Sequence, residues 1–269
     1  MVSRFINVDR NLRRGFAVTA LACVAAGCGV HAPGDGSAQH DTSAIVGGTS
    51  ASAYPESVII DLYRGDAQYG YCSGTVIASR VVLTAGHCIE GFDSWRVTAP
   101  FAENQAALAT RSAVYDWKGN LTRSGLNPSQ HDVGLIFLDA RIALKVYPIV
   151  ATAPLNESDR VVNIGRVDNG TVSSDALFVG PKIQVHDATS SGYPFDYTSS
   201  DVTQTGDSGG PVVVVTSGGV HRIVAVNSGS NGDIQVLART DLVAPWIEEL
   251  AGTRSYFVDS RFVRVRPRW

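Results

Sequence analysis

The chain has 269 residues, of which 44% are hydrophobic and 17% are charged, an ordinary globular balance that fits one or two domains. Residues 1–28 carry a net charge of +3 and residues 253–269 carry +4, so the total of −3 leaves the segment between them at about −10. Such an acidic body repels nucleic acid, which argues against a nucleic-acid-binding function.

Residues 1–28 have the pattern of an export signal. Four arginines precede an apolar run from Gly15 to Gly27, which is too short to span a bilayer as a helix. The run ends at Val24-Ala25-Ala26-Gly27-Cys28, which resembles a bacterial lipobox except that Ala25 stands where leucine is usual. We favour lipidation of Cys28, which would tether a bacterial protein to the outer membrane. Cleavage after a small residue, giving a soluble secreted protein, is the alternative.

Residues 29–44 are small and polar, with almost nothing to bury. This composition predicts a flexible tether and propeptide. From residue 45 the pattern changes to short β-branched runs separated by Gly, Ser and Thr, which predicts an all-β body. The predicted strands are 57–62, 74–78, 81–83, 133–138, 160–165, 181–185, 211–215, 221–226 and 233–238.

The segment from Thr205 to Pro211 places Ser208 between glycines. A serine hydroxyl needs a base to take its proton and a carboxylate to orient that base, and the backbone N–H groups of Gly206 and Ser208 can hold an oxyanion. The segment also satisfies the G-x-S-x-G pattern of the α/β-hydrolase elbow. That interpretation is disfavoured because only His221 follows the serine, and a β-branched run stands where the helix should begin.

The opposite order, histidine then aspartate then serine, is present. His87 follows a strand-like run in Leu83-Thr84-Ala85-Gly86-His87-Cys88, and Asp132 heads the strand of residues 133–138. With Ile45-Val46-Gly47-Gly48 and Cys72-Ser73-Gly74-Thr75, these motifs make the chain from about Ile45 to Gly252 resemble a trypsin-like serine endopeptidase of the chymotrypsin family.

The resemblance implies two antiparallel six-stranded β-barrels, at about 45–145 and 146–240, with the catalytic cleft between them. A C-terminal helix over 242–251 would complete the peptidase domain of residues 45–252, followed by an Arg-rich tail at 253–269. It also implies a catalytic triad of His87, Asp132 and Ser208, and a disulfide between Cys72 and Cys88. No cofactor and no metal are expected.

The resemblance further implies that the chain is a zymogen. Cleavage between Ala44 and Ile45 would create an α-amino group that pairs with Asp207 and completes the oxyanion hole. An enzyme that prefers small residues could carry out this cleavage itself.

The predicted specificity pocket departs from that of trypsin. Counting back from Ser208 puts Val202 where trypsin has an acid, with Asp201 one residue away. The predicted walls are Ala225, Val226, Asn227 and Gln235, with Ala225 standing where the family has a serine that supports the aspartate. These residues predict a preference for a small or medium neutral side chain before the scissile bond.

The leading hypothesis is therefore an exported, monomeric endopeptidase that acts on protein or peptide substrates. The alternative is a protease-like binding module that has lost turnover. His131 is interpreted as a surface loop residue, and His186 and His221 as ordinary strand or turn residues.

Overall fold

The computed structural model describes residues 48–119, 126–156, 158–168, 170–230, 233–252, 255–258 and 261–264. The predicted export signal with Cys28, the tether and the predicted new N-terminus at Ile45 lie outside the described residues. In the part of the chain that the structure describes, no helix is both long and apolar enough to cross a membrane.

The described residues form short strands, joined by turns, and one α-helix. The strands of the first half are β1 (Thr49–Ser50), β2 (Ser57–Arg64), β3 (Ala67–Ala78), β4 (Val81–Thr84), β5 (Ser94–Ala99), β6 (Gln105–Ala109), β7 (Arg111–Val114) and β8 (Gly134–Phe137). Those of the second half are β9 (Ile149–Val150), β10 (Arg160–Gly165), β11 (Val167–Asp168), β12 (Thr171–Val172), β13 (Phe178–Val179), β14 (Ile183–Gln184), β15 (His186–Asp187), β16 (Asp196–Ser200), β17 (Pro211–Val215), β18 (His221–Ser230) and β19 (Ile234–Arg239). The helix is α1 (Ala244–Ala251), followed by β20 (Ser255–Val258) and β21 (Arg261–Arg264).

The strands β2 to β8 form one antiparallel sheet in the order β6-β5-β2-β3-β4-β8-β7. β6 and β7 are two halves of one strand interrupted at Thr110, and they pair with β5 and β8 at opposite ends of that order. The sheet therefore curls until its ends meet, which gives a first barrel of six strands and leaves few unpaired edges.

The second barrel closes in the same way. Its order is β10-β17-β18-β19-β16, and the short strands β13, β14 and β15 follow one another along residues 178–187. β13 and β14 pair with β10, whereas β15 pairs with β16. These three pieces act as one irregular strand that joins the two ends of the sheet. The predicted all-β fold with a C-terminal helix is confirmed.

The helix α1 begins two residues later than predicted. Residues 240–243 form a turn instead, in which the N–H of Val243 donates to the carbonyl of Thr240 at 3.2 Å. The helix ends at Gly252, which has a φ of +65° and closes it in the left-handed region that glycine favours. Beyond it, β20 and β21 pair as an antiparallel hairpin in the Arg-rich tail.

A disulfide links the wall of the first barrel to the turn that follows β4. Cys72 in β3 is bonded to Cys88, with 6.2 Å between their Cα atoms. The predicted pairing is confirmed. Beside it, the indole N–H of Trp95 donates to the carbonyl of Cys88 at 3.0 Å, so the turn that carries His87 is held from two sides.

Candidate active site

The turn Gly86–Cys88 presents His87 at the end of β4. A Cβ atom on Gly86 would lie 2.8 Å from Cβ of Trp117 and 3.2 Å from Oδ1 of Asp132, so a larger residue would push the turn away from the aspartate. His87 is bound to Asp132 at two points: its backbone N–H donates to Oδ1 at 2.8 Å, and Nδ1 lies 2.7 Å from Oδ2. This geometry fixes the ring with Nε2 as the free nitrogen.

Asp132 is buried, with 2% of its side chain exposed, and it receives a third hydrogen bond from the second barrel. The hydroxyl of Ser228 donates to its Oδ2 at 2.7 Å. The expectation that Ala225 replaces the supporting serine is therefore wrong. The register of β18 against β19 shifts between Asn227 and Gly229, and this irregularity makes a count of residues along the strand unreliable.

The environment of His87 suits a base. Burial alone lowers the pKa of the ring, but the charge of Asp132 and its hydrogen bond to Nδ1 together raise it by more, so the pKa of His87 lies above its ordinary value. The imidazole therefore gains affinity for a proton at Nε2, on the side that faces the cavity.

Ser208 lies in a tight turn braced against the first barrel. The N–H of Ser73 donates to the carbonyl of Ser208 at 2.7 Å, and the hydroxyl of Ser73 donates to the carbonyl of Gly206 at 3.0 Å. Gly206 and Gly209 have φ values of +117° and +77°, which glycine adopts without strain. The turn thus depends on these two glycines.

The backbone of this turn directs N–H groups away from the core. The carbonyl of Asp207 accepts hydrogen bonds from the N–H of Gly210 at 2.9 Å and from Nδ2 of Asn227 at 3.1 Å. Because the peptide is planar and trans, the N–H of Ser208 points to the opposite side. Among the described residues, the amides of Gly206 and Ser208 donate to no acceptor. Both amides therefore have a free N–H group, which the predicted oxyanion hole requires.

Ser208 and His87 line the same cavity, whose volume is about 790 Å³. The structure records no hydrogen bond between these two side chains, a contact that often tightens only when substrate binds.

Asp207 points away from this cavity into the protein. Its oxygens accept from the N–H groups of Gln204 and Val167, each at 2.9 Å. Burial raises the pKa of Asp207 to about 7, against the opposing effect of these backbone donors and of the Arg166 guanidinium. Ile45, its predicted partner, lies outside the described residues.

Most of the residues predicted to form the specificity pocket do not line the cavity in the structure. All five predicted pocket residues are buried, and only Asn227 lines the cavity; Val202, Ala225, Val226 and Gln235 do not. Gln235, for example, donates to the hydroxyl of Ser199 at 2.7 Å in the second barrel.

Asp201, Thr203 and Ser230 line the cavity instead. The carboxylate of Asp201 accepts hydrogen bonds from the N–H of Thr203 at 3.2 Å and from the hydroxyl of Ser230. The sequence contained a sign of this acidic residue, because Asp201 directly precedes Val202, the position found by counting back from Ser208. Between Asp201 and Ser208 the backbone places Asp201 at the cavity and buries Val202, which counting residues back from Ser208 does not predict.

One cluster of three possible metal ligands occurs among the described residues: Cys72, His87 and Cys88. The two sulfur atoms are joined in the disulfide and the ring is bound to Asp132, so this cluster offers no cation site.

Comparisons with known proteins agree with the fold. Residues 45–247 match the family model described as Trypsin. Chymotrypsin-like elastase family member 1 of the dog is 27% identical over 120 residues, which cover 41% of this chain and 45% of that protein. The chain thus spans less than half the length of the first curated relatives it matches. Lectizyme from Glossina austeni is 26% identical over 87% of this chain and 96% of that protein.

Two solved structures share the fold. Mouse neuropsin, a serine protease, has a TM-score of 0.57 and 17% identity, over 76% of this chain and 98% of its own. An inactivated protease paralogue of the scabies mite has a TM-score of 0.60 and 15% identity, over 76% and 97%. Since the family model covers most of the sequence, the chain belongs to the trypsin family of serine proteases.

Proposed function

We propose that the chain is an endopeptidase that cleaves peptide bonds through an acyl-enzyme on Ser208. The observation that carries this proposal is the two-point attachment of His87 to the buried Asp132, at 2.8 and 2.7 Å, on a cavity that Ser208 also lines. Each component of a serine nucleophile is available there: a base, an orienting carboxylate and two free backbone donors.

In the reaction, Oγ of Ser208 attacks the scissile carbonyl as Nε2 of His87 takes its proton. The N–H groups of Gly206 and Ser208 bind the oxyanion, and Asp132 stabilises the imidazolium. His87 then gives the proton to the leaving amine, which departs and leaves an ester on Ser208. Water, activated by the same nitrogen, attacks the ester and releases the carboxylic acid product.

Labelling with a fluorophosphonate probe tests this proposal, because it requires an activated serine. We expect stoichiometric labelling of the mature chain and none of Ser208→Ala. A chain that begins at Ile45, is folded and neither reacts nor cleaves any peptide would instead be the protease-like binding module.

Zymogen activation at Ala44-Ile45 forms a second part of the proposal. A carboxyl with a pKa of about 7 lacks a full counter-charge, and an α-amino group beside Asp207 would supply it. A precursor whose cleavage site is deleted should therefore react slowly with the probe, and cleavage of the parent precursor at Ala44-Ile45 should increase its rate of labelling. Full activity of the uncleavable precursor would contradict this part alone.

The sequence predicts a preference for a neutral side chain before the scissile bond, but the lining of the cavity favours a different one. Asp201 lines it with a carboxylate whose two described partners are neutral, a hydroxyl and an amide. A negative charge without a described cation favours a positively charged substrate side chain. We therefore propose cleavage after Lys or Arg, in which case the bond after Ala44 is cut by another protease.

A peptide library decides between the two preferences. Cleavage after Lys or Arg that is lost in Asp201→Asn would support the acidic pocket. Cleavage after Ala or Val, together with failure of a Ser208→Ala precursor to mature, would support the neutral pocket and self-activation.

Export and tethering complete the proposal. A disulfide fits an oxidising compartment, in agreement with a secreted protein. The lipobox-like sequence supports a lipid anchor on Cys28 of a bacterial protein. Intact mass of the exported chain tests it: a lipidated Cys28 supports a tether, and an unmodified chain beginning near residue 29 or 45 supports secretion.

A further inference from the structure

We propose that His131 is a positioning residue whose imidazole, packed between the two barrels, fixes the backbone of the adjacent Asp132 and thereby the hydrogen bond that Asp132 accepts from His87. The proposal rests on the proposed function, in which that hydrogen bond activates Ser208.

His131 is attached to Asp116 in the way that His87 is attached to Asp132. Its backbone N–H donates to Oδ1 of Asp116 at 2.8 Å, and its Nδ1 lies 2.9 Å from Oδ2. The two attachments fix both the main chain and the ring of His131. The side chain is only 14% exposed, so His131 is not the surface loop residue that the sequence suggested.

The ring of His131 touches both barrels. It stacks on Phe195, just before β16 of the second barrel, with 4.1 Å between ring centroids and 29° between planes. Tyr115, just after β7 of the first barrel, meets the ring of His131 edge-on, with 5.0 Å between ring centroids and 83° between planes. Tyr115 in turn packs against Trp246 of α1 at 5.6 Å. The imidazole thus occupies the middle of an aromatic row that joins three elements.

Asp132 is the next residue, and its carboxylate also has partners on both barrels. His87 binds it from the first barrel, and Ser228 binds it from the second. On the far side, the N–H of Tyr115 donates to the carbonyl of Val133 at 3.2 Å. The main chain of Asp132 is therefore held at both neighbouring residues, Val133 and His131. At His131 the attachment includes the ring.

Three variants test the role of the ring. His131→Ala removes both the stacking and the Nδ1 contact with Asp116, whereas His131→Phe keeps an aromatic ring in the row. His186→Ala, at an exposed histidine of β15, is the matched control. We expect His131→Ala to lower kcat about 10- to 100-fold, the effect of a small misplacement of a catalytic group, with little change in KM. His131→Phe should recover most of kcat, and the control should match the parent.

A second measurement reports on the hydrogen bond itself and does not need turnover. The proton on Nδ1 of His87 gives a low-field resonance in proton NMR, which His87→Ala identifies by its absence. We expect His131→Ala to shift or broaden this resonance and His186→Ala to leave it unchanged. Because Asp132 raises the pKa of His87, a loosened pair should also move the acid limb of kcat/KM to lower pH.

Parent-like kcat and an unchanged resonance in His131→Ala would overturn the proposal, as would a loss of kcat that active-site titration explains by a smaller folded fraction. If His131→Ala does not fold, Phe195→Leu removes the stacking from the second barrel and is held to the same two readouts. A parent chain without turnover would refute the proposed function, while the resonance would still decide on the positioning role.

Discussion

Ser228 supports, from the second barrel, the carboxylate of Asp132 that we propose to be catalytic. Its hydroxyl donates to Oδ2 of Asp132 at 2.7 Å in a buried environment. Removing a hydrogen bond to a buried charged group costs about 1.5–3 kcal/mol. If half or more of that cost falls on the transition state, Ser228→Ala should lower kcat about tenfold with KM nearly unchanged, because each 1.4 kcal/mol is one decade.

Steady-state kinetics on a peptide amide substrate measures this effect. Ser158→Ala, at an exposed serine before β10, is the control for a lost hydroxyl. Equal kcat for Ser228→Ala and the parent would show that His87 alone is sufficient to orient Asp132.

Asp196 makes stability depend on pH in a definite direction. Burial, together with the nearby charge of Asp132, raises the pKa of Asp196 to about 8, although Arg239 opposes the shift. A carboxyl whose folded pKa is raised stabilises the protein below its unfolded pKa, and this stability is lost as the pH rises through the folded value. The loss should therefore run from about pH 4 to about pH 8.

Asp196→Asn keeps the shape of the side chain and cannot ionise. Its free energy of unfolding, minus that of the parent, should increase steadily across this range in a Ser208→Ala background that prevents self-digestion. Urea denaturation at a series of pH values measures the difference. A difference that is flat with pH would mean that Asp196 is ionised in the folded protein at the pH of an ordinary carboxyl.

At the scale of the elements, the disulfide connects β3 to the turn that presents His87. Its cysteines are separated by 16 residues, and the chain-entropy relation for a loop of this length gives about 3 kcal/mol of stabilisation. Replacing Cys72 and Cys88 together by alanine should lower the free energy of unfolding by about that amount. It should also lower kcat, because the turn loses one of its two attachments.

Calorimetry of the double variant and the parent, with and without a reducing agent, checks this prediction. Reduction should lower the melting temperature of the parent and leave that of the double variant unchanged. A parent that keeps its melting temperature after complete reduction would contradict it.

The sequence predicted the strands and the residues of the triad better than the residues that line the cavity. His87 and Asp132 each adjoin a β-branched strand, and the glycines around Ser208 require a turn, so local pattern was sufficient to locate all three. The walls of the cavity depend on register instead. Ser228, three residues beyond Ala225 and inside the irregularity of β18 between Asn227 and Gly229, is the residue that reaches Asp132, and Ala225 is buried. Which residues of this strand face the cavity depends on its pairing with β17 and β19, and the local pattern of residues does not contain that pairing.

The burial of Gln235 and the packing of His131 between the barrels were missed for the same reason. Both depend on the partner that a residue meets from a distant part of the chain: Ser199 for the glutamine and Phe195 for the histidine. Periodicity identifies the strand to which a residue belongs, but packing between strands decides its neighbours.

At the scale of the molecule, a histidine–carboxylate contact and an ion pair join the barrels. Glu56, which precedes β2, lies 2.6 Å from Nδ1 of His221 in β18, and both side chains are largely buried. Asp61 of β2 lies 3.0 Å from Arg166, which follows β10 and is 1% exposed. His221, interpreted from the sequence as an ordinary strand residue, is therefore part of the contact between the two halves.

Removing a hydrogen bond to a buried carboxylate costs about 1.5–3 kcal/mol, because the group that remains is left without its partner. Glu56→Gln and His221→Gln should each lower the free energy of unfolding by an amount of this order, whereas the double variant should lose less than the sum. The coupling energy expected for residues in direct contact is about 0.5–3 kcal/mol. Neither residue lines the cavity of His87 and Ser208, so KM should stay unchanged.

Chemical denaturation of the two single variants and the double variant completes the cycle, and the pair of Arg222 and Asp159 provides the control. These two side chains are 3.5 Å apart and partly exposed, at 27% and 23%, and a solvent-screened pair contributes little. A cycle on Arg222 and Asp159 should therefore give a coupling energy near zero. An equally small coupling between Glu56 and His221 would mean that the barrels are held together by their apolar contacts, since a buried pair that costs nothing to separate cannot fix their relative position.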